Sequence, residues 1–362
     1  MESLQPEIAS PDHRTVITLV TGATGFVGSH VARRLASRGA TLRILTRPSS
    51  NLRALEDLPC ERAEGDVRDP ASLHRALEGV RCVFHVAADY RLAARDPQEI
   101  YRNNVEGTLN LLRAAREARI ERFVYTSTVG TVAVPQASGL PDESTAARLN
   151  QMIGHYKRSK FLAEEEALRA ARDGLPVVIV NPTTPVGPGD WKPTPTGRMI
   201  VDFLNGCAPG FVDTGLNIVD VEDVAEGHLL AAERGTIGER YLLGGRNMTL
   251  KEIFHALAAA SGRPAPRWRI PYFVAFAAAI GENGWARLAG REPRIPLEGV
   301  RMARHKMFVD CSKAVRELGF RPRPAEEALR RAAEWYISHG YAAPQSRRYS
   351  ASESAGNRTH SV

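Results

Sequence analysis

The feature that most restricts what this 362-residue chain can become is a glycine-spaced turn at residues 19–35, LVTGATGFVGSHVARRL. A β-branched run, TVITLV (15–20), leads into it, and a helical stretch, SHVARRLASRG (29–39), leads out. Gly22, Gly25 and Gly28 stand in GxxGxxG spacing. In such a turn the first glycine lets the chain reverse sharply. The second lets the backbone approach a pyrophosphate, and the third lets helix and strand pack closely. The helix N-terminus then offers unpaired N–H groups to the phosphates. A glycine trio alone is weak evidence, but at the first strand–helix junction of a βαβ unit it predicts dinucleotide binding. Thr24, Phe26 and Val27, lying between the glycines, belong to the same cradle.

The rest of the first half supplies the context this turn needs. Short apolar runs recur at 41–45 (TLRIL), 80–86 (VRCVFHV), 122–127 (RFVYTS) and 176–181 (PVVIVN). Helical stretches fall between them at 71–79, 104–118 and 155–171. Nearly continuous apolar strands, each followed by a helix, indicate a parallel sheet covered on both faces. The predicted fold is α/β, a Rossmann-type doubly wound parallel sheet with a smaller C-terminal substrate lobe. Residues 1–14 read as a flexible arm and 15–190 as the nucleotide-binding domain, its sheet completed by part of 210–245. Residues 191–342 read mainly as the substrate lobe, and 343–362 as a disordered tail.

The end of the second strand bears on which nucleotide binds. NAD sites usually place an acid there for the ribose hydroxyls, whereas a 2′-phosphate calls for a base. The sequence reads LRILTRPSSN, with Arg47 at that position and Ser49 and Ser50 close behind. A guanidinium suits a phosphate dianion. NADP is therefore expected, with NAD as the alternative. Asp66 and Val67 in GDVRDP follow the third strand, where an adenine edge is read. Ala87 and Ala88 in HVAAD follow the fourth, where small residues let the cofactor pass.

Chemistry is suggested by HYKRSK, in which Tyr156 and Lys160 lie four apart on one helical face. A free phenol with a pKa of about 10 is only about 0.1% ionised at pH 7. A neighbouring ammonium favours the phenolate, so Tyr156 is expected to exchange a proton with a substrate oxygen. Lys160 is expected also to hold the nicotinamide ribose. Just after a strand, YTSTVG offers a hydroxyl to the reacting oxygen, from Thr128 or from Ser127.

The joint order of glycine turn, GDVRD, hydroxyl-rich strand end, YxxxK and NPxxPVGP resembles the extended short-chain dehydrogenase/reductase (NAD-dependent epimerase/dehydratase) family over roughly residues 15–340. The resemblance implies a Thr128–Tyr156–Lys160 catalytic set, because the third member of the Ser/Thr run holds the reacting oxygen in that family. It places Asn181 and Pro182 beside the nicotinamide carboxamide, Asn104 under the active site or at a helix entry, and Asp223 in a structural role. TSTVGTV and Arg47 look like the dihydroflavonol-reductase-like branch. The stretches HVAADYRLAARDPQEIYRNNVEGT, MIGHYKRSKFLAEEEAL and VVIVNPTTPVGPGDWKPTPTGR are similar to the bacterial hopanoid-associated sugar epimerase group. That likeness implies an oxidoreductase acting on a polyol, sugar or lipid-linked sugar near hopanoid side-chain synthesis. A sugar epimerase with retained NAD is the alternative, and a non-catalytic nucleotide-binding regulator a third, against which the complete catalytic set argues. It also implies a homodimer built on the helices at 104–118 and 155–171.

Loops after the strands nominate substrate contacts: Tyr90, Arg91 and Arg95, then Thr183, Thr184, Lys192, Thr194 and Arg198. Cys60, Cys82, Cys207 and Cys311 lie far apart with no CxxC pair, so neither a metal site nor a disulfide framework is indicated. The balance of 48 basic to 41 acidic side chains gives +7, but the charge is uneven. Residues 263–306 hold nine basic and three acidic side chains around the apolar run IPYFVAFAAAI (270–280). Such a pairing suits peripheral contact with an anionic membrane. No aromatic–basic stacking pattern accompanies it, so nucleic acid is not an expected partner. With no secretory signal and no run of about 18 apolar residues, a cytoplasmic location is expected, with membrane association through 263–306.

Overall fold

The computed structural model describes residues 16–92, 94, 96–134, 138–291, 293 and 295–343. The N-terminal arm, the tail beyond Ala343 and Arg95 lie outside the described residues.

Twelve strands are present among them: β1 Ile17–Thr21, β2 Thr41–Thr46, β3 Glu61–Glu64, β4 Val80–His85, β5 Arg122–Thr126, β6 Val177–Pro182, β7 Thr184–Val186, β8 Gly210–Phe211, β9 Gly215–Asp220, β10 Arg240–Leu243, β11 Arg246–Thr249 and β12 Trp268–Arg269. The helices are α1 Phe26–Ser37, α2 Pro70–Leu77, α3 Pro97–Tyr101, α4 Gly107–Glu117, α5 Gly154–Arg172, α6 Pro195–Leu204, α7 Val221–Arg234, α8 Leu250–Ser261, α9 Tyr272–Leu288, α10 Leu297–Met302 and α11 Ala325–Ser338.

The main sheet has seven parallel strands in the order β10-β6-β5-β4-β1-β2-β3. The order reverses between β1 and β4, and ligands of open α/β sheets bind at the carboxyl end of such a switch point. Strands in the middle of this sheet bury both faces, which is why they read as unbroken apolar runs; all six residues of β6 are buried. One face carries α1 and α7, through Val31, Leu35, Val224 and Leu229. The other carries α2, α4 and α5, through Leu73, Leu111, Ala163 and Ala167. The sheet is finished by β10, from late in the chain.

A second core gathers α6, α8, α11, β7, β9 and β11 around Phe203, Ile253, Phe254, Leu257 and Leu329. β7 and β9 pair in parallel, and β9 and β11 antiparallel. Val186 already belongs to this core, so the chain crosses into it directly after β6. α7 and β10 return to the first. The chain therefore changes core several times, with part of 210–245 returning to the main sheet. Among the described residues no helix is long and apolar enough to cross a membrane.

Candidate active site

The carboxyl ends of β1 and β4 meet at the switch point. Gly22 has φ +73°, and a Cβ there would lie 2.5 Å from the Ala87 backbone nitrogen. A side chain would therefore both strain the turn and collide with the neighbouring strand. At Gly28 a Cβ would stand 2.1 Å from the Gly22 carbonyl oxygen, so α1 can approach β1 only with glycine at that position. Gly25 is the exposed N-cap of α1. It makes no side-chain cap hydrogen bond, and no acid occupies the first turn. The result is a glycine-walled cradle opening onto free helix N–H groups, which fits a pyrophosphate. Thr24, Phe26 and Val27 form its rim, with Phe26 edge-on to His30 at 5.7 Å. The His30 Nε2 lies 2.9 Å from the Pro188 carbonyl oxygen, joining α1 to the loop after β7.

Arg47 stands exposed directly beyond β2, and its backbone N–H donates to Ser50 Oγ at 3.1 Å. Asp66 lies near enough for the Arg47 charge to help hold its carboxyl below the usual range, although its paired Arg68, at 2.7 Å, has the largest effect. Val67 packs against Gly107. Ala87 is partly buried and Ala88 exposed at the crevice. The residues nominated for the nucleotide thus lie around one sheet edge.

The catalytic candidates come from β5 and α5. Lys160 is buried; its Nζ donates to the Thr126 carbonyl oxygen at 2.6 Å and sits 4.4 Å from the centre of the Tyr125 ring. Burial brings this ammonium down to about 7. Tyr156, one turn earlier, faces the Thr128 hydroxyl. Burial raises the phenol above its ordinary value of 10, and the hydrogen bond with Thr128 acts against that shift. The shift of the phenol is thus upward and caused by burial, opposite in sense to the depression expected from Lys160 together with a bound nicotinamide. Thr128 is partly exposed, whereas Ser127 Oγ is buried without a protein partner. Of the two hydroxyls, Thr128 is the one that acts on the Tyr156 phenol, whereas Ser127 Oγ is shut away from solvent.

Behind this set lies a buried polar frame. Glu164, one turn beyond Lys160, accepts hydrogen bonds from Thr131 Oγ1 (2.8 Å), Asn181 Nδ2 (2.8 Å) and Arg240 Nη1 (3.1 Å). Asn181 also reaches the Thr128 carbonyl oxygen at 3.2 Å. Its Nδ2 thus braces the hydroxyl-bearing loop, while its Oδ1 is buried without a hydrogen-bond partner among the described residues. Asn104 lies in a π-helical turn, Arg102–Glu106. Its Oδ1 accepts from the Asp89 N–H at 2.7 Å, and its Nδ2 donates to Asp89 O and Ser159 Oγ, both at 2.9 Å. It ties the loop after β4 to α5 and caps no helix.

A family model described as NAD dependent epimerase/dehydratase family matches residues 18–244. The chain belongs to that family. It is 44% identical over 330 residues to a putative dihydroflavonol 4-reductase of Synechocystis, covering 90% of this chain and 96% of that one. It is 37% identical to sterol demethylase protein B of Methylococcus capsulatus, covering 89% and 99%. Among solved structures, gox2253 superposes with a TM-score of 0.81 at 48% identity, covering 90% and 99%. A nucleoside-diphosphate-sugar epimerase from Pseudomonas aeruginosa superposes with a TM-score of 0.74 at 31% identity, with the same coverage. The family and fold read from the motifs are thereby borne out. This member is an NAD(P)-dependent oxidoreductase or epimerase, as its relatives are.

In this family member the nominated substrate residues divide. Tyr90, on the loop after β4, has its phenol raised by burial and then by the Asp190 and Asp89 charges. Arg91 is committed to Asp89 at 2.6 Å and Glu99 at 2.7 Å. Thr183 and Thr184 are buried, with Thr183 bonded to the Leu243 carbonyl oxygen. Thr194 caps α6, and Lys192 and Arg198 are exposed. Asp223 receives the Arg323 Nε at 2.8 Å and its backbone N–H at 2.7 Å, a structural clamp.

Sequence reasoning missed Lys157. It is buried beside Tyr156, brought down to about 8 by burial, and among the described residues its Nζ meets the Met307 sulfur at 4.0 Å. Its stem lies over Gly130. In HYKRSK it reads as one more solvated charge; only the glycine facing it across the fold makes room for it.

Proposed function

We propose that this protein is an NADP-linked reductase acting on a carbonyl of a polyol, sugar or lipid-linked sugar, with a place in hopanoid side-chain assembly. The observation that carries the reaction type is the anchoring of the Tyr156-bearing helix to the end of β5, where Lys160 Nζ donates to the Thr126 carbonyl oxygen at 2.6 Å and Thr128 follows two residues on. A bound nicotinamide supplies the hydride. Tyr156, held protonated by burial, begins as the acid that carbonyl reduction needs, and passes its proton to the substrate oxygen. The Thr128 hydroxyl orients that oxygen, and Lys160 sits ready to steady the phenolate left behind.

Arg47 and the absence of an acid after β2 favour NADP over NAD. The reductase reading also agrees with two relatives named for reductions, the dihydroflavonol 4-reductase and a Stigmatella aurantiaca ketoreductase of a farnesyl dihydroquinoline oxide, 33% identical. The second reading, a sugar epimerase that retains NAD, is favoured by the 31% identical nucleoside-diphosphate-sugar epimerase. Denaturing the purified protein and identifying any released nucleotide separates the two. An empty protein that binds NADPH reversibly supports the reductase, whereas stoichiometric NAD in the supernatant overturns it. Tyr156→Phe should lower turnover by about 10²–10⁴-fold and leave nucleotide affinity intact; unchanged turnover would refute the assigned acid.

A further inference from the structure

We propose that the outward face of α9 docks this protein onto the surface of an anionic lipid bilayer. A surface helix ordinarily turns its apolar stripe to the core and its polar residues to water. α8 does so, burying Ile253, Phe254 and Leu257. α9 is inverted. Its polar residues Glu282 and Asn283 lie away from the apolar side and bond within the fold: Asn283 Nδ2 donates to Ala279 O at 2.6 Å and Ile295 O at 2.8 Å, and Glu282 meets Arg291 at 2.8 Å. Only Ala279 and Ala286 of this helix are buried. Phe273, Val274, Ile280, Trp285 and Leu288 are 44–84% exposed. At helical spacing they fall, with Ala277, Gly281 and Gly284, on one side of the helix. A Cβ at either glycine would meet nothing within 4 Å, so among the described residues none packs against the helix at those two positions. Contiguous apolar surface of this kind marks an interaction site.

The surrounding charge selects the occupant. Residues 263–306 carry nine basic and three acidic side chains, and Arg267, Arg269, Arg287, Arg301 and Arg304 are exposed. Trp268, 78% exposed, and Trp285 supply the aromatic residues that settle at a membrane interface. A second copy docking through the same face would set this positive charge against itself. An anionic bilayer complements it, and a helix of 17 residues lies in the interface without spanning. At the N-terminal end of α9 a cleft of about 560 Å³ is lined by Arg269, Arg304, Tyr272 and Ile270, with Asp213 paired to Arg269. It has the size and charge to receive a lipid phosphate. The inner side of the helix, at Asn283, lines a smaller hollow of about 220 Å³ together with His155, the residue before Tyr156. Docking through α9 therefore sets the catalytic helix close behind the bilayer surface. This inference does not depend on which substrate the enzyme takes.

The test is sedimentation of the full chain with vesicles of phosphatidylcholine alone and of phosphatidylcholine mixed with phosphatidylglycerol. Binding to the mixed vesicles that weakens with added salt is expected. The triple variant F273S/W285S/L288S should lose about tenfold or more of it. The three side chains are exposed, so its melting temperature and nucleotide affinity should stay those of the parent. Quenching of parent tryptophan fluorescence by brominated lipid tests the same contact without any substitution. No binding to the mixed vesicles, equal binding to both kinds, no quenching, or full binding by the folded triple variant overturns the proposal. A dimer that the substitutions convert to monomer, without vesicle binding, would assign the face to a second copy instead.

Discussion

Lowering the pH from 7 to 5 should weaken this fold through two histidines that no one would single out from sequence. His85 is wholly buried between Thr21 Oγ1 at 2.7 Å and Thr108 Oγ1 at 3.0 Å. Thr108 gives its own proton to the Asn104 carbonyl oxygen, so His85 donates from Nε2 and accepts at Nδ1. Burial, reinforced by the nearby Lys160 charge, pushes its pKa down to about 3. His228 is equally buried; its Nδ1 lies 2.7 Å from the Val224 carbonyl oxygen and its Nε2 3.0 Å from Thr126 Oγ1. Burial takes it to about 4. Both rings stay neutral in the folded state at pH 5 while the unfolded chain protonates them from about 6.5 downward. The unfolded state then binds more protons, so stability falls as pH falls, beginning near 6.5 and ending at the folded values. At pH 5 the gap is about 1.5 units, worth about 2 kcal/mol for each ring at 1.36 kcal/mol per unit. Burial lowers His30 in the same sense, while the raised carboxyls of Asp190, Asp220 and Glu143 act oppositely. The measurement must therefore be comparative. Urea unfolding of the parent and of His85→Asn and His228→Asn at pH 7 and pH 5 gives the pH-linked loss in each. Each substitution should remove about 2 kcal/mol of that loss, whatever it does to stability at pH 7. A pH dependence identical in all three proteins would refute the reasoning.

The nucleotide preference should turn on Arg47: Arg47→Asp is expected to weaken NADPH by about 10- to 100-fold relative to NADH, the worth of one charge-assisted contact, read by equilibrium binding of both. Thr128→Val should cut turnover by about tenfold or more, whereas Ser127→Ala, which removes a buried hydroxyl with no protein partner, should leave steady-state rates unchanged. The reverse ranking would move the reacting oxygen to Ser127. Arg240→Ala strands the buried Glu164 carboxylate and should cost about 3 kcal/mol or more in chemical unfolding at pH 7.

How much of this was legible follows from what burial does to a pattern. The five apolar runs read from sequence match β1, β2, β4, β5 and β6 closely, because central parallel strands are apolar on both faces. β3 escaped as a run because it lies at the sheet edge with the exposed sequence ERAE, and only the position of GDVRD implied it. The glycine turn was legible in full, since its constraint is steric and local. The direction of the Tyr156 shift was not: spacing shows that a lysine is near, but not that both groups are dry. Lys157 was missed for the same reason. That the Asn181 Nδ2 bonds Glu164 and the Thr128 carbonyl could not be read, because those partners converge only through folding. The basic region 263–306 was visible as composition, but the inversion of α9 required knowing which side faces out.

The Glu164–Arg240 contact has a temporal consequence. The helix bearing Tyr156 and Lys160 is braced from behind by a side chain on β10, which emerges from the ribosome some eighty residues later. The glycine turn, Arg47 and the crevice alanines are all complete long before that. Yet α1, which carries the phosphate cradle, packs on α7, and α7 and β10 leave the ribosome almost together, so the two halves of the site gain their support at nearly the same point in synthesis.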